Sequence, residues 1–182
     1  MPQPVLDRPA GATFRIGGLI GDYLRGVTDQ WLLPAPRANP AMLEMFRDRD
    51  ASPLRDLVPW AGEFAGKYLT AAVQVLDVTG DERLDAALKD FVARLIGCQA
   101  ADGYLGPWPQ SCRLTNRNSQ DKATWDTWGH YHVMLGLLLW HERSRDGRAL
   151  AAARRTADLL CRKYLGRKTP RLVDTGCTEM NL

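Results

Sequence analysis

The chain has 182 residues, of which 45% are hydrophobic and 25% charged, the balance of an ordinary folded protein with a substantial core and not of a disordered one. Its formal charge of +3 comes from 24 basic and 21 acidic residues spread along the sequence, with no run of like charges to form a nucleic-acid arm. The N-terminus lacks the basic and apolar regions of a secretory signal, and no stretch approaches the roughly 18 apolar residues of a membrane span, so a cytoplasmic enzyme or binding module with no membrane or nucleic-acid partner is expected.

Residues 1–16, with prolines at 2, 4 and 9, read as an irregular lead-in. Leu19, Ile20, Tyr23, Leu24, Val27 and Trp31 then fall on one helical stripe, which Pro34, Pro36 and Pro40 end. A helical turn at Met42 to Phe46 and a charged, proline-containing loop from Asp48 to Pro59 follow. Pro59 suits a first helical position, Trp60, Phe64, Tyr68, Ala71, Ala72 and Val75 mark a buried side, and Gly80 suits the helix end. Asp81 is a natural N-cap for a partner helix with the stripe Leu84, Leu88, Phe91, Val92, Leu95 and Ile96. The two make an αα-hairpin.

A loop from Gln99 to about Ala123 leads to the same design again. Trp125 to Glu142 repeats the first helix of the pair, and Asp146 caps a partner carrying Ala149, Leu150, Ala153, Ala157, Leu160 and Tyr164. The two capping aspartates lie 65 positions apart, and a third hairpin begins near Thr175, with Leu182 falling in the first turn of its helix. With no alternating strand pattern to compete, the fold is predicted to be all-α, built of repeated αα-hairpins over residues 17–182 and incomplete at its C-terminal side.

Polar and aromatic residues gather at one end of these helices. Trp125, Asp126, Trp128, His130 and His132 occupy the first turns of one helix, and Asp102, Tyr104, Trp108 and Arg113 lie in the loop before it. Rings that stack on the apolar faces of a sugar, with a few groups to read its hydroxyls, make carbohydrate the leading ligand class. His130 and His132 are two apart, roughly 200 degrees around a helix, so they cannot share a metal. The pattern places His132 on the inward face with Trp125, Trp128, Leu135 and Leu139, where it is either a core residue or a ligand group, and His130 nearer the opposite side.

Glu63 holds the matching place in Trp60-Ala-Gly-Glu-Phe-Ala-Gly-Lys67, and with Lys67 it forms either a surface ion pair or a ligand-facing pair. Glu179, in the first turn of the third hairpin, is either a helix-dipole residue or a site residue. Cys98, Cys112, Cys161 and Cys177 are too far apart for a zinc signature or a dense disulfide framework and are expected to be reduced. No paired-carboxylate motif fixes a reaction.

Gly62-Glu-Phe-Ala-Gly-Lys-Tyr-Leu69, Gln99 with Asp102-Gly-Tyr-Leu-Gly106, the Trp125 to Trp140 helix and Gly176 to Leu182, in that order, resemble the β-L-arabinofuranosidase-like glycoside hydrolases, family 127 and its relatives. The resemblance implies an (α/α)6 barrel followed in complete proteins by β-sandwich domains. It implies retaining hydrolysis by a cysteine nucleophile held on zinc by further cysteines and a glutamate, with a second glutamate as acid/base, all downstream of Leu182. On that reading this chain carries no cofactor and no catalytic residue of its own, but one wall of a sugar pocket formed by His132, Trp125, Asp126, His130, Glu63, Tyr104 and Glu179. The resemblance gives His132 the sugar hydrogen bond. Cys177-Thr178 departs from the histidine that several relatives place before the third helix's glutamate, which leaves another pentose or a hexose open as substrate. A sugar epimerase or unsaturated-glucuronide hydrolase on the same barrel, and a protein-binding helical scaffold, are the alternatives.

Overall fold

A computed structural model of the chain describes residues 16–115, 117 and 123–166. Most of the lead-in, the start of the third hairpin, Cys177 and Glu179 lie outside the described residues. The described part is all-α: α1 (Gly18–Val27), continued by a π-helical turn (Thr28–Leu32), then α2 (Ala35–Ala38), α3 (Ala41–Arg47), α4 (Glu63–Thr79), α5 (Glu82–Gly97), α6 (Asp126–Ser144) and α7 (Gly147–Tyr164). No β-strand occurs among the described residues; an isolated bridge joins Arg117 to Ala123.

Both expected hairpins are present. Asp81 caps α5 by accepting the backbone N–H groups of Arg83 and Leu84, and Asp146 caps α7 by accepting that of Arg148. Gly80, at φ 64°, closes α4 in the left-handed conformation that favours glycine; Arg145, at φ 60°, takes the same place after α6. The repeat seen in the sequence is therefore a repeat of helix ends as well as of helices.

α4 and α6 run parallel, side by side. Gly129 lies over Gly62 and Glu63, Gly66 over His132 and Val133, and Gly136 over Leu69, a register that rises together on both helices and continues to the Arg143–Asp77 ion pair at 3.0 Å. The two backbones approach so closely that a Cβ on Gly66 would lie 2.2 Å from the His132 carbonyl carbon. α5 backs α4, and α7 backs α6. Their buried faces, with Tyr68, Leu69, Ala72, Leu76, Leu88, Phe91, Leu95, Val133, Leu137, Trp140 and Ala153, form one core that also takes Met42, Leu43 and Phe46 of α3.

Two sequence expectations about faces are corrected. The stripe of α1 forms a helix, but Leu19, Ile20 and Tyr23 are 82%, 58% and 70% exposed, because no described element packs over them. α4 begins at Glu63 and not at Pro59: Gly62 at φ 96° interrupts the helical path, leaving Trp60 and Phe64 partly exposed and turning Ala65, Tyr68, Leu69, Ala72, Val73 and Leu76 to the core. Cys98, Cys112 and Cys161 are unpaired in the structure. Among the described residues no helix is long and apolar enough to cross a membrane.

Candidate functional site

The parallel packing of α4 and α6 brings their N-terminal ends to the same end of the molecule, so the predicted residues are neighbours in space. They separate into a buried staple and an exposed wall.

Asp126, His130 and Tyr104 form the staple, each fully buried. The Asp126 carboxylate accepts the Tyr104 hydroxyl at 3.0 and 2.9 Å and the Leu114 N–H at 2.8 Å. The Leu105 N–H donates to His130 Nε2 at 3.3 Å, so that nitrogen is an acceptor and the proton sits on Nδ1, 2.7 Å from the Asp126 carbonyl oxygen and 3.2 Å from its carboxylate. The Trp108 N–H donates to the Tyr104 hydroxyl at 3.1 Å. The Arg113 guanidinium lies 4.6 Å and the Arg49 guanidinium 5.7 Å from the Tyr104 ring centre. Burial, reinforced by the neighbouring Asp126 charge, holds the Tyr104 phenol well above its ordinary pKa. Gly106 passes so close that a Cβ there would lie 2.5 Å from the Tyr104 hydroxyl.

This network fastens the loop between α5 and α6 onto the first turn of α6. The loop is also pinned by Gln99, whose side-chain nitrogen donates to Gly103 O, Ala152 O and Thr156 Oγ1 at 2.9 to 3.0 Å. The expectation that His130 lies on the outer side of α6 is therefore wrong: it is enclosed between Asp126 and the loop. Asp126 and Tyr104, expected beside a ligand, have no exposed surface and are engaged with each other.

The wall is formed by Glu63, Lys67, Trp60, Trp125, Trp128 and His132. Trp128 Nε1 donates to Glu63 Oε2, and Lys67 Nζ lies 3.1 Å from Glu63 Oε1 and 5.7 Å from the Trp128 ring centre. His132 meets the Trp128 ring edge to face, their centres 4.6 Å apart, with Tyr131 at 5.0 Å on another side. Trp60 and Trp125 lie 5.7 Å apart at the helix mouths, 47% and 37% exposed, joined by a hydrogen bond from the Trp125 N–H to Pro59 O at 2.8 Å. Glu63 and Lys67 form the ion pair of the first reading, with Lys67 beside the Trp128 ring.

Such a surface offers ring faces for stacking and a carboxylate with acceptor capacity left over, while the His132 Nε2 is buried behind Trp128. Against known proteins, residues 26–181 match the β-L-arabinofuranosidase, GH127 catalytic domain. The chain belongs to the GH127 β-L-arabinofuranosidase catalytic-domain family. Among solved structures it resembles the crystal structure of Ara127N-Se, a GH127 β-L-arabinofuranosidase from Geobacillus Stearothermophilus T6, with a TM-score of 0.68 and 16% sequence identity over 86% of this chain and 26% of that one. No curated protein sequence matches. The shared fold is the repeated-hairpin (α/α) barrel, and the chain spans about a quarter of the length of that structure.

In this GH127 chain, Trp60 completes the wall but was not among the predicted binding residues. Periodicity had assigned Trp60 to the core, and the one available signal was its place directly after Pro59 at a helix mouth, where side chains meet solvent.

Proposed function

We propose that the chain forms part of the catalytic barrel of a glycoside hydrolase acting on β-L-arabinofuranosides, and that the ends of α4 and α6 make one wall of its sugar pocket. The observation that carries this reading is the Glu63 carboxylate held by Trp128 and Lys67, with the Trp60–Trp125 pair at the same helix mouths, on the end of a GH127 domain where two helices open side by side.

The wall binds and orients; it does not cleave. Glycoside hydrolysis generally takes two carboxyl groups across the scissile bond, one to protonate the leaving oxygen and one to attack or to activate water. Glu63 is the wall's carboxylate, and Asp126 is bound up in the staple. Trp128 and Lys67 hold Glu63 as an acceptor aimed beside the aromatic faces, suited to a sugar hydroxyl. His132, set edge-on against Trp128, packs behind that ring with its Nε2 buried. The bond-breaking residues and the zinc implied by the family resemblance belong, on this reading, to the rest of the protein. Among the described residues no group of three or more His, Cys, Asp or Glu side chains converges, and no step here runs through a metal.

The test is a titration with methyl β-L-arabinofuranoside, followed by the Trp indole resonances. The wild-type chain is expected to shift Trp128 and to release no free sugar, and Glu63→Gln is expected to weaken binding about tenfold, the loss of a charge-assisted hydrogen bond. An unmoved Trp128 at saturating glycoside, or binding indifferent to Glu63→Gln, sinks the assignment.

A further inference from the structure

Beside the wall, on the α3 side of the mouth of α4, lies a cleft of about 510 Å³ that no step above uses. Its floor is Met42 and Met45 of α3 with Ala61 and Ala65, and its sides are Trp60, Val58 and Phe64. Of the residues that line it, Trp60 is also the wall's outer aromatic, 5.7 Å from Trp125, so the cleft and the wall share that ring.

The lining argues for a particular chemistry. Arg55 stands at the rim, but Glu44 and Asp48 hold its guanidinium at 3.1 and 3.0 Å, so the cleft does not offer a free cation to an anionic ligand. Trp60 and Phe64 are partly exposed ring surfaces above a floor of methionine and alanine, a shape that takes a flat apolar group, and Asn39 and Asp56 are the other polar side chains on the lining. The volume lies within the usual range of small-molecule sites, a few hundred to about a thousand Å³.

We propose that this cleft receives the planar apolar leaving group of the substrate, while the sugar rests on the wall beyond Trp60. The assignment rests on the proposed sugar pocket. It predicts a preference for aryl over alkyl glycosides, set by Val58 and Phe64 and not by the sugar contacts.

The experiment compares phenyl β-L-arabinofuranoside, methyl β-L-arabinofuranoside and phenol in binding to the wild-type chain and to Val58→Asp, read by backbone and indole resonances. Val58 is half exposed, so its replacement leaves the core intact, and an unchanged spectrum elsewhere verifies this. The phenyl glycoside is expected to bind about tenfold more tightly than the methyl glycoside and to shift Phe64, in keeping with the apolar area of one added ring. Val58→Asp is expected to erase that gain and leave methyl glycoside binding unchanged. Equal affinity for the two glycosides, or a Val58→Asp loss shared by both, overturns the cleft assignment while the sugar wall stands. Phenol shifting Val58 and Phe64 in the wild type but not in Val58→Asp, with neither glycoside bound, supports the apolar cleft and overturns the sugar wall. Silence from all three ligands overturns both.

Discussion

Asp126 holds more of the local structure than any other polar residue at this end of the molecule. It accepts from Tyr104 and Leu114 while its backbone carbonyl takes the His130 Nδ1 proton, so three segments meet on one residue. Removing one partner of a buried hydrogen bond costs the desolvation of the other. Tyr104→Phe is expected to lower stability by about 1 to 3 kcal/mol, and Asp126→Ala by more than Tyr104→Phe, because it strands two buried donors. Urea unfolding measures both, and a smaller loss for Asp126→Ala would show that the staple does not carry the loop. The same burial has an alkaline signature. Tyr68, whose hydroxyl donates to Leu32 O, is pushed up to about 12 from an ordinary 10.0 by burial, and Tyr104 is raised in the same direction. The fold holds both phenols neutral, so this contribution is intact below pH 10 and for Tyr68 is lost as pH rises through about 12. In an ultraviolet difference titration Tyr68 and Tyr104, two of the five tyrosines, are expected to ionise only with unfolding. A single transition of all five near the ordinary value would contradict the packing. At this scale the kinds of residue were legible, but their sides were not. Whether His130 or His132 turned inward depended on the loop from Tyr104 to Leu114 folding back over α6, which helical periodicity does not contain.

The helix ends carry the clearest local code. Asp81 and Asp146 each satisfy N–H groups of the helix they begin, and Asp81→Ala and Asp146→Ala are each expected to cost about 1 kcal/mol. Because the caps serve different hairpins, the double variant should lose close to the sum. Both carboxyls are held below 3.8, first by the side chains of Arg83 and Arg148 and then by the capped N–H groups. A lowered carboxyl stabilises the fold above its unfolded pKa and loses that contribution as pH falls through the folded one, so the caps weaken on acidification below about pH 4. Asp81→Asn keeps an acceptor and should flatten that acid limb in thermal unfolding. An unchanged acid limb would mean the Arg83 contact does not matter to folding. Caps are legible because they act within four residues of chain. The start of α4 was misread because a proline at 59 and a left-handed glycine at 62 compete for the same helix end, and the contact of Trp125 with Pro59 favours the later start.

For the whole molecule, the close contact of α4 and α6 decides whether there is a site. Gly66 allows it, and Gly66→Ala would drive a methyl into the His132 backbone. It is expected to destabilise the protein by about 3 kcal/mol, at the upper end for overpacking, and to separate Glu63 from Trp128, so the sugar-induced indole shift disappears. Gly26→Ala in α1 meets no atom within 4 Å and should leave the shift in place while stabilising its helix by about 0.5 kcal/mol or more. Equal behaviour of the two variants in calorimetry and titration would refute the role of the crossing.

The sequence by itself determined that the chain is helical, that its hairpins recur 65 residues apart, where their helices are capped, and which family it resembles. These properties rest on backbone capping, short-range spacing and motif order. Tertiary structure alone decided which faces are buried. α6 is enclosed by α4, by α7 and by the loop above it, and buries Asp126, Thr127, Gly129, His130, Val133, Gly136, Leu137 and Trp140 almost all the way round. A helix packed from several sides has no single apolar stripe from which its orientation can be read. That is why the helix whose aromatic and histidine residues marked the site in the sequence still required its neighbours to show which of them, His132 and Trp128, face the wall and which, Asp126 and His130, hold it in place.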